Sequence, residues 1–123
     1  MSSTLQIETS TKAGKVPVAV VAVKGELDAQ THEALEKTAA EQIKGGAKAM
    51  VLDLSQVKYI GSAGVRALIT IAKNLQGDIA GGSKFANLKL LNPSPEVHRI
   101  LKTLGFEYTI EVVTDLDKAV ASF

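Results

Sequence analysis

Two short runs of apolar residues constrain the fold more than any other feature of the chain. VPVAVVAV (16–23) and AMVLDLS (49–55) are rich in β-branched and small apolar residues, with little polar alternation. Such runs are typical of strands buried on both faces of a sheet, whereas a strand with one exposed face alternates apolar and polar residues. They therefore predict two central strands.

Helix patterns separate these strands from the other predicted elements. Apolar residues recur at helical spacing over about 30–44 and, more strongly, over about 62–75. Further strands are predicted from TLQIETS, NLKLLN and YTIEVV, and further helices from PSPEVHRILKTLG and DLDKAVASF. The order β-β-α-β-α-β-α-β-α predicts a single α/β domain, residues 1–123. Its sheet would have about five mostly parallel strands and one antiparallel edge pair, with four helices.

Several boundaries are predicted from turn and cap residues. TKAGK is expected to form a turn after the first strand, and Gly25 to end the second. The GGA segment at 45–47 is expected to stop the first helix, while Asp115 is expected to cap the last one. QGDIAGGSKFA is predicted to be a glycine-rich connection. Ala67 and Ile71 flank the apolar stripe of the second helix, where they would either contact a partner or widen the core.

Composition excludes several classes of function. The formal charge is +1, which gives no indication of nucleic-acid binding. Without cysteine there is no disulfide framework and no zinc–thiolate site, as expected in a reducing cytoplasm. The N-terminus has no signal-peptide core, and the longest apolar run is too short to insert across a membrane. No metal or cofactor site is predicted.

The stretch YIGSAGVRAL places a small hydroxyl, Ser62, between two glycines where a buried strand meets a helix. A nucleophile of the esterase type would need a glycine two residues earlier, where Ile60 stands. It would also need a base, and no pattern brings either His32 or His98 to this serine. A small hydrolase is therefore the weakest of three interpretations, and its test is whether a histidine lies within reach.

The other two interpretations are a helix cap and a phosphorylation switch. A serine at a helix start can accept a hydrogen bond from an early amide and stabilise the protein by about 1 kcal/mol. The same place suits a phosphate, because helix N-terminal amides are unpaired and the dipole there is positive. Gly61, Ala63 and Gly64 would keep the surrounding surface flat, so that a partner could approach closely. Both interpretations remain open from the residues alone.

Three separated stretches resemble one known family. VAVKGELDAQTHEAL, VLDLSQVKYIGSAGVRALITIAKNL and NPSPEVHRILKTLGF occur in the order found in STAS domains, and specifically in stand-alone bacterial anti-sigma factor antagonists. The resemblance covers about residues 5–120. It implies a STAS-type fold in which the helices pack mainly on one face of the sheet.

The resemblance also implies a function without catalysis and without a cofactor. Members of this family bind an anti-sigma factor, typically a serine kinase, and so free a sigma factor in the cytoplasm. The kinase phosphorylates a serine at the start of the second helix, which ends binding, and a PP2C-type phosphatase reverses the modification. The matching acceptor here is Ser62. The residues expected at the partner surface are Asp28, Gly61, Ser62, Ala63, Gly64 and Arg66.

The junction departs from the family pattern in two places. Family members commonly have Asp-Ser-Ser-Gly or Asp-Ser-Thr-Gly, whereas this chain has Gly61-Ser62-Ala63-Gly64. The missing second hydroxyl leaves Ser62 as the single acceptor, and the missing acid is expected to affect recognition by a kinase. A second hypothesis is therefore a STAS interaction module in another signalling or lipid-transport assembly, with Ser62 only a helix cap.

Overall fold

Five strands form one mixed sheet in the order β1-β2-β3-β4-β5, in a computed structural model that describes residues 5–76, 85–106 and 109–123. β1 and β2 are antiparallel and every other pair is parallel, as predicted. The strands are β1 (Leu5–Ala13), β2 (Pro17–Leu27), β3 (Ala49–Ile60), β4 (Phe85–Leu91) and β5 (Ile110–Val113). The helices are α1 (His32–Lys44), α2 (Ser62–Gln76), α3 (Pro95–Thr103) and α4 (Leu116–Ala121).

The central strands alternate between two cores, one on each face of the sheet. On one face, Val21 of β2 and Leu52 of β3 belong to the larger core, which also contains residues of α1, α2 and α3. On the other face, Val18 and Val51 pack with Val120 of α4. Three helices thus cover one face and the short α4 covers part of the other, which confirms the prediction of helices mainly on one face.

Gly25 does not end β2, contrary to the prediction. The strand continues to Leu27, and its pairing with β3 shifts register between Gly25 and Glu26. Gly25 has φ 122°, a conformation that other residues rarely adopt, so the glycine forms a bulge inside the strand. The bulge matters for the site described below, because it allows β2 to reach the end of β3, where Leu27 pairs with Ile60.

Two strands are longer than their sequence patterns predicted. β1 continues through Ala13, so the predicted turn TKAGK contains three residues of strand and the turn itself is confined to 14–16. β3 runs on to Ile60, and only Val57 and Ile60 are buried in its last five residues. The pairing of β2 with β3 has a second register shift, between Ala22 and Lys24, which also interrupts the alternation of buried and exposed side chains. An interrupted period of two hides a strand from pattern analysis.

The buried face of α2 is wider than the single apolar stripe that the sequence predicted. Ala67 and Ile71 are each 1% exposed, so both widen the core and neither is available to a partner. The physical reason is that α2 packs against α1 as well as against β3 and β4, and two neighbours require two buried sides.

The predicted cap of α4 is confirmed, because Asp115 accepts from the amide of Lys118. Ser94, which the sequence did not single out, caps α3 by accepting from the amide of Val97. Gly46, at φ 116°, follows the end of α1. The glycine-rich connection QGDIAGGSKFA lies almost wholly outside the described residues. Within the described ranges, no helix has the length and hydrophobicity needed to cross a membrane.

Candidate functional site

The ends of β2 and β3 are held together at the point where α2 begins. The amide of Gly61 donates to the carbonyl oxygen of Leu27 over 2.9 Å. The amide of Val65 donates to the carbonyl oxygen of Gly61 over 3.0 Å, which is the first backbone bond of the helix. Gly61 therefore occupies the N-cap position and Ser62 is the first helical residue. Asp28 follows Leu27, so it emerges at the same end of the sheet as Ser62.

The hydroxyl of Ser62 does not cap the helix, which corrects that interpretation. Ser62 is exposed, and its side chain forms no hydrogen bond with any of the residues that the structure describes. The first turn of α2 contains no acidic residue, so no side-chain carboxylate within that turn offsets the positive end of the dipole. The arrangement leaves an accessible hydroxyl at the N-terminus of a fifteen-residue helix.

Gly64 sets the distance between α2 and the sheet. A Cβ atom at this position would lie 2.7 Å from the carbonyl oxygen of Leu27 and 2.9 Å from Cγ1 of Ile60. Real Cβ atoms do not approach backbone that closely, so any side chain here would move the helix. Gly64 is buried, which corrects the expectation that it helps to form the flat partner surface. It acts instead as a packing residue that positions the serine two residues earlier.

Gly61 has room for a side chain, unlike Gly64. A Cβ atom there would meet only the ring of Tyr59, at 3.4 Å, which is an ordinary van der Waals distance. Gly61 is also not among the glycines with positive φ. Neither sterics nor backbone conformation therefore requires glycine at this position. Tyr59 itself is 50% exposed and stands beside the junction.

Asp28 organises the loop between β2 and α1. Its Oδ1 accepts from the amide of Gln30 at 2.9 Å and from the amide of Thr31 at 3.1 Å. The hydroxyl of Thr31, which is buried, donates to the carbonyl oxygen of Glu26 at 2.7 Å and accepts from the amide of Asp28 at 3.0 Å. The carboxylate thus caps the turn that leads into α1, and a contact with a partner stays a prediction for this residue.

Replacing Asp28 with alanine should lower the free energy of unfolding by about 1–2 kcal/mol, because two amides lose their acceptor. Asparagine keeps an oxygen in the same place, so Asp28→Asn should lose less than about 1 kcal/mol. Chemical denaturation of the three proteins measures the difference. Equal stability of the alanine variant and the wild type would show that the loop does not depend on this side chain.

The remaining predicted contact residues lie at the first two turns of α2. Ala63 is half-buried, whereas Arg66 is exposed. Arg66 is four residues after Ser62, which places the two on the same face of the helix. The structure therefore brings Ser62 and Arg66 together on one exposed surface, next to the loop that Asp28 holds.

A nucleophile–base pair is not formed. Ser62 has no hydrogen bond to either histidine, and both histidines lie in the described part of the chain. The ring of His32 contacts the carboxylate of Glu36 on α1, and His98 lies on α3. The arrangement needed for a serine hydrolase is thus absent around Ser62 among the described residues. These residues also contain no group of acidic and histidine side chains arranged to hold a metal ion.

Comparison with known proteins decides the family. A model of the STAS domain matches residues 7–119 of this chain. The chain belongs to the STAS domain family. That match includes the loop that Asp28 organises and the start of α2, so the junction at Ser62 is part of the family's domain and not an addition to it.

Relatives of this STAS domain are named as anti-sigma factor antagonists. BtrV of Bordetella bronchiseptica carries that name and is 30% identical over 104 residues, which are 85% of this chain and 84% of that protein. A crystal structure of an anti-sigma factor antagonist from Mycobacterium paratuberculosis superposes with a TM-score of 0.72 at 27% identity, covering 93% and 91% of the two chains. Unphosphorylated SpoIIAA shares the fold, with a TM-score of 0.67 at 20% identity over 94% and 92%.

The sequence did not single out two residues of the candidate site. Tyr59 adds an exposed aromatic ring beside the switch candidate, and its position two residues before Gly61 was a signal that could have found it. Thr31 is buried and ties the loop together through its hydroxyl. An aspartate followed three residues later by threonine, just before a helix, is a capping pattern that could have indicated this role.

Proposed function

We propose that this STAS domain is an anti-sigma factor antagonist that is switched off by phosphorylation of Ser62. In its unmodified form it binds an anti-sigma factor, a serine kinase, and frees the sigma factor that this kinase holds in the cytoplasm. A PP2C-type phosphatase returns the modified protein to its binding form. The observation that carries the proposal is the exposed hydroxyl of Ser62 at the start of α2, which bonds to none of the described residues.

The surroundings of Ser62 suit a modification that changes binding and leaves the fold intact. The serine is already solvent-exposed, so a phosphate needs no rearrangement of the core. The amides of the first helical turn favour an anion, and Arg66 offers a cation on the same helix face. A phosphate adds a charge of about −1.5 to −2 and considerable bulk to a surface built from Gly61 and Ala63. A partner fitted to that flat surface would be displaced.

Relatives with this fold support the proposal. BtrV and the Mycobacterium paratuberculosis protein are both named as anti-sigma factor antagonists, and each alignment covers more than four fifths of this chain. SpoIIAA of Bacillus has been solved in a phosphorylated as well as an unphosphorylated form, so the fold itself is compatible with a phosphate. The identity to SpoIIAA is only 20%, and it bears on the fold alone.

A phosphorylation assay tests the proposal directly. The purified protein is incubated with ATP, Mg²⁺ and the anti-sigma factor kinase encoded nearest to it in the genome, and the product is analysed by intact mass and site mapping. We expect one phosphate, located on Ser62, and none on Ser62→Ala. Complex formation, measured in parallel, should be strong for the unmodified protein and for Ser62→Ala, and weak for the phosphorylated protein.

A further variant tests the departure from the family pattern. Gly61→Asp restores the usual acid, and it should fold normally because a Cβ at this position meets no close contact. An aspartate is also at least as good an N-cap as glycine. If only Gly61→Asp accepts phosphate while both proteins bind the kinase, the wild type is a STAS interaction module that is not regulated at Ser62. That result would overturn the switch.

A further inference from the structure

β1 presents a long strand edge to solvent. It is the first strand of the sheet, and among the strands that the structure describes it pairs with β2 alone, along all nine of its residues. Residues 8–13 are all exposed. An exposed edge of this length is a template for pairing with another strand, since half of its backbone donors and acceptors point away from the sheet. The question is which strand matches it.

The two faces of β1 have different characters. Ile7, like Leu5, packs against the core beneath α1, α2 and α3, so the odd-numbered side chains point to the helix-covered face. The even-numbered side chains, among them Glu8 and Lys12, therefore point to the opposite face. Their pairing positions on β2 are Ala22 and Val18, which carry no charge. Neither Glu8 nor Lys12 forms an ion pair with any residue in the described ranges.

We propose that β1 pairs with β1 of a second copy of this chain, antiparallel and about a two-fold axis at Ser10. In this register Glu8 of each copy lies directly opposite Lys12 of the other, so two opposite-charge pairs form. Thr9 lies opposite Thr11, a pair whose hydroxyls can bond across strands. On the helix-covered face Ile7 lies opposite Ala13, which matches apolar with apolar. The product is a ten-stranded sheet with closed two-fold symmetry.

Charge selects this register over its neighbours. An axis at Glu8 would oppose glutamate with glutamate, and an axis at Lys12 would oppose lysine with lysine, both of which are destabilising. An axis at Thr9 or Thr11 would place neither charge opposite its complement. Only the axis at Ser10 satisfies both charges. A lysine on an edge strand usually disfavours pairing with another strand. In this register Lys12 lies opposite Glu8 of the second copy, so its charge does not oppose pairing.

Two copies of β1 can form backbone hydrogen bonds in this register whichever residues of β1 direct their amide and carbonyl groups away from β2. If the backbone groups of Ser10 point outward, the two Ser10 residues exchange hydrogen bonds. If they point toward β2, then Thr9 and Thr11 exchange them instead. Ser10 pairs with Val20 in the amino-terminal half of β2, whereas Leu5 pairs with Gly25 near the carboxyl end. The axis is thus well away from the end of the sheet that bears Ser62, and pairing leaves the phosphorylation site accessible.

Sedimentation velocity of the full chain tests the proposal, at concentrations up to about 1 mM, which would detect even a weak dimer. We expect the wild type to pass from monomer to dimer with rising concentration. Glu8→Lys and Lys12→Glu should each weaken dimerisation by about tenfold or more, because each turns two attractive pairs into two repulsive ones. The double variant carrying both changes restores the pairs and should dimerise like the wild type.

Mixing the two single variants gives the sharpest result. The Glu8→Lys copy presents two lysines, and the Lys12→Glu copy presents two glutamates at the matching positions, so an equimolar mixture should form a heterodimer. Glu96→Lys and Lys102→Glu, exposed on α3, are controls with the same changes in net charge and should dimerise like the wild type. A wild type that stays monomeric at about 1 mM would overturn the proposal. So would a dimer that the single variants and the controls affect equally.

Discussion

Replacing Ser62 with aspartate should weaken binding to the anti-sigma factor by about tenfold or more and should leave the fold intact. A factor of ten corresponds to about 1.4 kcal/mol, a modest cost for placing an uncompensated charge in an interface. The free energy of unfolding should rise or stay level, because a negative charge in the first turn of a helix is worth about 0.3–1 kcal/mol. Binding and stability should therefore change in opposite directions. Calorimetric titration and thermal unfolding measure the two effects.

Ser62→Asn is the matched control for this prediction. Asparagine has nearly the shape of aspartate and carries no charge, so it separates the effect of charge from the effect of size. We expect it to bind the anti-sigma factor more tightly than Ser62→Asp, and Ser62→Ala to bind without regulation. Equal losses for asparagine and aspartate would assign the effect to bulk. Wild-type binding by the aspartate variant would remove Ser62 from the interface.

Gly64→Ala should lower the free energy of unfolding by about 2 kcal/mol. The added Cβ would lie 2.7 Å from the carbonyl oxygen of Leu27. Because this oxygen belongs to the backbone of a strand, it cannot move away as the end of a flexible side chain can. Overpacking of this kind costs up to about 3 kcal/mol. Helix propensity acts in the other direction, since alanine in a helix interior is favoured over glycine by about 1 kcal/mol. The net loss depends on the packing contact, and chemical denaturation measures it.

The sign of the change makes this prediction sharp. If the gap between α2 and β2 were wider than the structure shows, Gly64→Ala would stabilise the protein. Gly61→Ala serves as the control, because a Cβ there has only ordinary contact with Tyr59. It should lose less than about 1 kcal/mol, the cost of a poorer N-cap. We also expect Gly64→Ala to weaken binding of the anti-sigma factor, since displacing α2 displaces Ser62.

The sequence predicted the elements that depend on local pattern. The strand at 49–55 and the helix at 62–75 follow from hydrophobic period, and the cap at Asp115 follows from cap chemistry. Parallel pairing with one antiparallel edge follows from the order of strands and helices. The STAS resemblance added the helix-covered face, and it singled out Ser62, whose phosphorylation stays a prediction. The elements and the cap could be predicted because each is encoded by neighbouring residues.

Features that depend on contacts between distant segments could not be predicted in this way. The sequence shows two glycines around Ser62 and gives them equal weight. Only the tertiary structure separates them, because Gly64 lies against Leu27 and Ile60 while Gly61 faces an exposed ring. The helix-cap interpretation of Ser62, one of the alternatives left open by the sequence, was wrong for a related reason. The hydrogen bond between Gly61 and Leu27, thirty-four positions apart, sets where the helix begins.

The sequence by itself thus determined the fold class, the order of elements, and the serine at the strand–helix junction, since local periodicity and cap residues are properties of neighbouring positions. The tertiary structure alone decided that Ala67 and Ile71 are buried, that β2 continues through the bulge at Gly25, and that the Ser62 hydroxyl is exposed. Each of these depends on how closely one element approaches another. That distance is set by the packing of side chains from several parts of the chain at once.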